Sequence, residues 1–204
     1  QEHAVLASPV GGGQSRYRQF EVVSKLSLRE NQSLVFSYVR SRIRGNLNEL
    51  NNYLGNYPFP LVRPDQYVNL PSDLPHRFLA WGTVKLPWKA RVSPLVEWRT
   101  GLPYAVFDEG QNYVGQPFSD KTRFPKFFSL DARFIREFQI NEVVKNMFKR
   151  KLKNPTSVRV SVSFYNLTNH FNPTSVHANI VDPQFGLFFG QNQRRFRVDF
   201  DLIF

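Results

Sequence analysis

Residues Arg195–Phe204 read RFRVDFDLIF, and every second side chain is apolar: Phe196, Val198, Phe200, Leu202 and Phe204. Between them stand Arg195, Arg197, Asp199 and Asp201, with Ile203 as the only break in the charged row. A period of two sends alternate side chains to opposite faces of an extended chain, so this stretch predicts a β-strand with one apolar and one charged face. The same pattern recurs upstream. In Phe128–Ile140, the apolar set Phe128, Leu130, Ala132, Phe134, Phe138 and Ile140, broken at Arg136, alternates with Ser129, Asp131, Arg133, Glu137 and Gln139. Phe20–Leu28, Arg91–Arg99 and Val158–Phe164 alternate likewise, and the less regular Ser33–Ile43 and Phe78–Leu86 complete a set of seven predicted strands.

The connections alternate in length. Arg29–Gln32 and Pro87–Lys89 are short, whereas Arg44–His76, Gly101–Phe127 and Thr168–Gln193 are long and rich in Asn, Pro, Gly and Tyr. Long loops at one end and short turns at the other are the habit of bacterial membrane barrels rather than of soluble sandwiches. Asn141–Thr156 is the exception, a long basic connection on the short-turn side. Its run Lys145, Lys149, Arg150, Lys151 and Lys153 suits a solvated periplasmic connection with one helical turn around Val144, Phe148 and Leu152; a contact with polyanion phosphates is the alternative.

Composition agrees with a β-rich membrane protein. The 204 residues hold twenty Phe against one Met, no Cys, and a net charge of +11 that attracts polyanions. No run of eighteen apolar residues exists to form a transmembrane helix, and Gln1–Gly13 lacks the basic start and apolar centre of a signal peptide. The clean segments reach the nine to eleven residues or so that a strand needs to cross a bilayer. Aromatic residues at strand ends (Tyr38, Trp88, Trp98, Tyr104, Phe127, Phe164) fit interfacial girdles. The expected fold is therefore all-β: an antiparallel transmembrane β-barrel segment of seven meandering strands, incomplete as a barrel, with residues 1–15 an external loop or fragment start and residues 16–204 the strands.

In that arrangement Phe196, Val198, Phe200, Leu202 and Phe204 face lipid. The charges Arg91, Glu97, Arg99, Asp131, Arg133, Glu137, Arg159, Arg195, Arg197, Asp199 and Asp201 face a wet or plugged lumen. Opposite charges across neighbouring strands suggest a register: Arg99 facing Asp131, Glu97 facing Arg133, and Arg159 facing Asp201.

Several stretches resemble a known family. The alternating strand ending in Phe204 resembles the assembly signal of outer-membrane barrels. Val158–Asn169 (VRVSVSFYNLTN) is similar to the penultimate strand of TonB-dependent receptors, and Asp73–Leu86 (DLPHRFLAWGTVKL) with Trp98–Pro103 (WRTGLP) is similar to motifs of the large Oar-like members. The resemblance covers Tyr17–Phe204. It implies roughly the last third of a twenty-two-strand barrel in the bacterial outer membrane, taking up a bulky ligand. It further implies as partners the lipid bilayer and lipopolysaccharide, the rest of the barrel with its N-terminal plug, the barrel assembly machinery, and TonB acting through the plug. The family's TonB box and signal peptide are not in this sequence.

Chemistry is sparse. His170 and His177 share a loop without a third ligand at metal spacing, and His76 suits the point where the chain enters a strand. Asp108 and Glu109 read as solvated loop acids. Gly11–Gly13 lacks the Lys-Ser/Thr of a phosphate loop, and the sequons at Asn31 and Asn166 are chance matches in a bacterial protein. No catalytic set, metal or cofactor is expected, so the chain is read as a non-enzyme. The residues expected to touch ligand are the loop side chains Tyr53, Tyr57, Arg63, Tyr67, Tyr113 and Arg123. Two other readings stand beside the receptor: a complete small porin-like or adhesin barrel, and a soluble basic β protein binding nucleic acid through Arg and interleaved aromatics. The segregation of Phe and Arg to opposite faces speaks against nucleic acid as a partner.

Overall fold

The computed structural model describes residues 14–29, 32–46, 66–139 and 157–203. Among these the chain is all-β. The long strands are β1 (Ser15–Arg29), β2 (Gln32–Gly45), β4 (His76–Leu86), β5 (Ala90–Arg99), β6 (Phe127–Gln139), β7 (Ser157–Tyr165) and β10 (Arg195–Ile203). They pair antiparallel in the order β1-β2-β4-β5-β6-β7-β10, and the short β3 (Val68–Asn69) pairs with β2. β8 (Pro173–Val176) and β9 (Phe188–Gln191) form a separate two-stranded ribbon. The large sheet is open, with β1 and β10 at its edges.

All seven expected strands are present, and β1 begins at Ser15, earlier than the alternation at Phe20 suggests. β3, β8 and β9 lie inside stretches read as irregular loops. Ladders of two to four residues are too short for a period of two to register. The tight β4–β5 turn runs through Trp88 and Lys89, both at positive φ (59° and 57°), the backbone twist that two-stranded ribbons favour.

Cross-strand partners share a face, so the registers carry two continuous surfaces across the sheet. One holds Phe196, Val198, Phe200 and Leu202 of β10, facing Phe164, Val162, Val160 and Val158 of β7. The same face continues through Phe134 and Leu130 of β6 and Val92 and Val96 of β5. The opposite face carries Arg195, Arg197, Asp199, Asp201, Arg159, Glu137, Arg133, Asp131, Glu97, Arg99 and Arg91. Phe204 lies outside the described residues.

The register between β5 and β6 corrects the charge-based expectation. Glu97 faces Ser129 rather than Arg133, and Arg99 faces Phe127 rather than Asp131. Each charge has found another partner. Arg77 Nε donates to Glu97 Oε1 at 3.0 Å, and Arg99 stacks its guanidinium 4.3 Å from the Phe127 ring centre. Asp131 Oδ1 accepts from the Asn166 backbone N–H at 2.9 Å, and Arg133 Nη2 donates to Ser161 Oγ at 3.1 Å. One cross-strand ion pair is worth only about 0.2–1 kcal/mol, so it yields readily to such alternatives. The other expected pairing holds: Asp201 faces Arg159, with Glu137 facing the same Arg from β6.

Burial is inverted relative to a soluble sheet. Ser37, Ser157, Ser161 and Ser163 are buried on the charged face, Ser161 completely, while Phe20, Phe196 and Phe200 are 62–73% exposed on the apolar face. The compact hydrophobic cluster among the described residues sits between β3 and the loops, where Val68, Ala105 and Phe118 pack with Phe107 and Tyr113.

Candidate functional site

The long connections gather at one end of the sheet, fastened by two polar hubs. The first is Asp73, which is 1% exposed. Its Oδ1 accepts from the Ile43 N–H of β2 at 2.8 Å, and its Oδ2 accepts from Arg123 Nη2 at 2.5 Å. Arg123 Nη1 spans the carbonyls of Asp73 and Gly101, each at 3.2 Å, and Nη2 also meets Asp120 Oδ1 at 2.7 Å. One guanidinium thus ties the approach to β4, the exit from β5 and the β5–β6 connection together. The DLPHR stretch is structural throughout: His76 Nδ1 sits 2.8 Å from Tyr38 Oη and Arg77 binds Glu97. Gly101 is sterically required, because a Cβ there would stand 1.6 Å from the Phe124 carbonyl oxygen.

The second hub is Asn166, buried at the top of β7 with φ of 49°. Asn tolerates this left-handed backbone better than most residues. Its Nδ2 donates to the carbonyls of His170 (3.0 Å) and Asn192 (2.9 Å), and its Oδ1 accepts from the His170 N–H at 3.0 Å. Asn172 performs a parallel task at the start of β6, gripping both the N–H and the carbonyl of Phe128 at 3.1 and 2.8 Å.

Beside the Asn166 hub lies a polar cleft of about 520 Å³ at the loop end of β6, β7 and β10, walled by Ser129, Asp131, Asn166, Asn172, Arg194 and Arg195 with Phe127 and Tyr165. A neighbouring hollow of about 250 Å³ shares Phe127, Asn172 and Asn192 and adds Arg99 and Phe124. Guanidinium and amide donors, one carboxylate and aromatic faces suit recognition of a polar ligand by hydrogen bonds and stacking. In the first hollow Ser129 Oγ donates to Asp131 Oδ1 at 2.6 Å. Among the described residues, no group of three or more His, Cys, Asp or Glu is placed to hold a metal ion.

Of the loop residues expected to touch ligand, Tyr53, Tyr57 and Arg63 lie outside the described residues. Tyr67 is exposed under the Arg44 guanidinium, 5.2 Å from its ring centre. Tyr113 stacks on Phe107 at 5.7 Å within the loop cluster, and Arg123 is committed to the Asp73 hub. The basic stretch Lys145–Lys153 is outside the described residues. Sequence reasoning passed over Asn172 and Arg194, and it named Arg195 as a lumen-facing charge rather than as an edge of this cleft. The signal that could have found them is the clustering of Asn and Gln where strands end (Asn166, Asn169, Asn172, Asn192), a pattern that serves chain turns and ligand contacts alike.

The Asp120 carboxyl is held below the usual carboxylate range, first by the hydrogen bond from Arg123 and then by the charges of Arg123 and Arg42, against the opposing effect of burial. A depressed folded-state value means its contribution exists above the unfolded carboxylate value of about 3.9 and is lost as pH falls through the folded one. Acidification below about pH 4 should therefore loosen the loops around Arg123. Protection of the Tyr104 and Phe124 amides, which donate to Thr122 and Leu102 at 2.9 Å, should drop in hydrogen exchange once intrinsic rates are corrected. In Asp120→Asn this acid-dependent step should be absent; an unchanged step would assign it to another group.

Comparison with protein-family models, curated proteins and solved structures finds no match to this chain.

Proposed function

We propose that this chain is the C-terminal part of a TonB-dependent receptor barrel in the bacterial outer membrane, working by binding and uptake of a bulky ligand rather than by catalysis. One observation carries the reading: the aromatic and aliphatic face of the sheet stands exposed from β1 to β10, while the serines of the charged face are buried. A soluble monomer seldom presents an apolar patch spanning a whole sheet. In a bilayer the same face is solvated by acyl chains, and every strand is paired except at the edges, which the rest of the barrel would cover. The seven long strands have nine to fifteen residues, enough to span the hydrocarbon at a tilt.

On the charged face, Val35, Trp81 and Leu95 face one another across β2, β4 and β5, an apolar row that Leu79 adjoins. In the receptor reading this row seats the N-terminal plug, through which TonB would act. The loop-end cleft, opening above the lumen, takes the first polar contacts with ligand. Barrel assembly machinery would recognise the β10 strand during insertion.

Trp81 and Trp98 lie on opposite faces of the sheet and supply the test. In single-tryptophan variants of the protein as encoded, folded into bilayers of acyl-brominated phosphatidylcholine, Trp98 fluorescence should be strongly quenched and Trp81 little affected. Equal quenching of the two, or stable detergent-free monomers with neither quenched, would refute the membrane reading.

A further inference from the structure

We propose that the loop end of β1 and β2 is a binding site for a membrane lipid whose headgroup carries phosphates, a site that deepens the membrane reading and rests on it. Arg16 faces Arg44, Arg18 faces Arg42, and Arg40 faces Phe20 on one side and His76 on the other. All five arginines therefore stand on the apolar face of the sheet, at the end where the long loops gather. They are not part of the charged face that the lumen reading accounts for.

Two consecutive like-charged pairs across an antiparallel ribbon are unfavourable in themselves, since like charges facing each other destabilise it. The described residues supply little to relieve them. Asp120 Oδ2 is 3.6 Å from Arg42 Nη2, but its other oxygen is already held by Arg123. Arg44 is occupied by Tyr67, donating to its carbonyl at 3.2 Å and covering its ring. Arg16, Arg18 and Arg40 are exposed and have no carboxylate partner among the described residues. Among the described residues the cluster is thus short of negative charge, on a surface where hydrocarbon begins a residue or two away.

Directly below it, Phe20, Val22 and Leu26 of β1 and Leu34 and Phe36 of β2 form an apolar strip on the same face. At about 3.4 Å per strand residue, the distance from Phe20 to Leu26 is roughly 20 Å. One leaflet of hydrocarbon is about 15 Å deep, so the strip can lie along a whole acyl chain. Guanidinium forks above and an acyl-deep apolar strip below match the two ends of a phosphorylated amphiphile. A soluble polyanion would use the arginines and leave the strip uncovered; a zwitterionic lipid would cover the strip and leave the charge unmet.

The experiment titrates the protein as encoded, in phosphatidylcholine nanodiscs, with diphosphoryl lipid A, its dephosphorylated form and free pyrophosphate. Diphosphoryl lipid A should bind best. Arg18→Gln/Arg42→Gln should weaken it about tenfold or more, the loss expected when charge-assisted contacts are removed. Arg18→Lys/Arg42→Lys, which keeps the charge, should weaken it less, and Arg91→Gln/Arg197→Gln on the opposite face should leave it unchanged. Equal affinity for the dephosphorylated lipid in the unmodified protein would overturn the proposal, as would displacement of the lipid by pyrophosphate at similar concentration, which would make this a free-phosphate site. Trp98 quenching is read in parallel, with the single-tryptophan variant in nanodiscs of acyl-brominated phosphatidylcholine. If quenching persists while phosphate selectivity fails, only this site is wrong; if quenching is lost as well, the membrane reading falls with it.

Discussion

Arg123→Met is expected to destabilise the loop end of the protein by about 3–5 kcal/mol, the range seen when one member of a buried ion pair is removed. The size follows from what remains. Asp73 is 1% exposed, and without the guanidinium its charge keeps the Ile43 N–H as its remaining described donor. The carbonyls of Asp73 and Gly101 lose their shared donor in the same step. Asp120, an exposed partner, matters less, because a solvated carboxylate recovers its hydration when released. Replacing both members with apolar groups removes the stranded charge, so Asp73→Leu/Arg123→Met should be less destabilised than the sum of the two single variants. Chemical denaturation in detergent micelles measures all three, with hydrogen exchange at Tyr104 and Phe124 localising the effect. A loss under about 1 kcal/mol in Arg123→Met, or strict additivity in the double variant, would mean that the hub is not coupled as its geometry indicates.

The hub was only half visible in the sequence, and the reason is physical. Asp73 and Arg123 are fifty positions apart on stretches without periodicity, so nothing local announces that they meet. Arg123 looked like a ligand residue because an Arg in a long loop is ordinarily solvated; here two carbonyls and two carboxylates claim it. The strands were far more legible. A period of two sustained over nine or more residues leaves few alternatives, and one face set in β10 or β6 propagates across the sheet through pairing. Register was legible only where charge and pairing agreed, as at Arg159 and Asp201. Between β5 and β6 the charges of Glu97 and Asp131 were satisfied along other directions, by Arg77 and by the Asn166 backbone. The five arginines of β1 and β2 were overlooked for a related reason: Ser33–Ile43 alternates poorly, and only its pairing with β1 reveals that their side chains share the apolar face.

Phe200→Arg separates a lipid-facing sheet from a solvent-facing one by the sign of its effect. Phe200 is 71% exposed near the middle of β10, between Val198 and Leu202 on the apolar face. If water met this face, exchanging an exposed Phe for Arg would fall within about 0.5 kcal/mol of neutral and would improve solubility. If hydrocarbon meets it, an Arg near the bilayer midplane costs about 2–4 kcal/mol, and the cost falls to about 0–1 kcal/mol at the interfaces. The comparison is therefore a series along one strand. Phe196→Arg, at the loop end, should be nearly silent, whereas Val198→Arg and Phe200→Arg should be strongly destabilising. Asp199→Arg, between them on the charged face, gives up the Arg197 contact at 2.7 Å but meets no hydrocarbon, so its cost should stay small. Folding equilibria in phosphatidylcholine bilayers would give the four values, and the yield of inserted protein in cells should follow the same order. A flat profile along β10, or a larger penalty at Asp199 than at Phe200, would show that depth in a bilayer does not govern this face. A peak at Phe200 with Asp199 spared is what an acyl environment on one side and water on the other require.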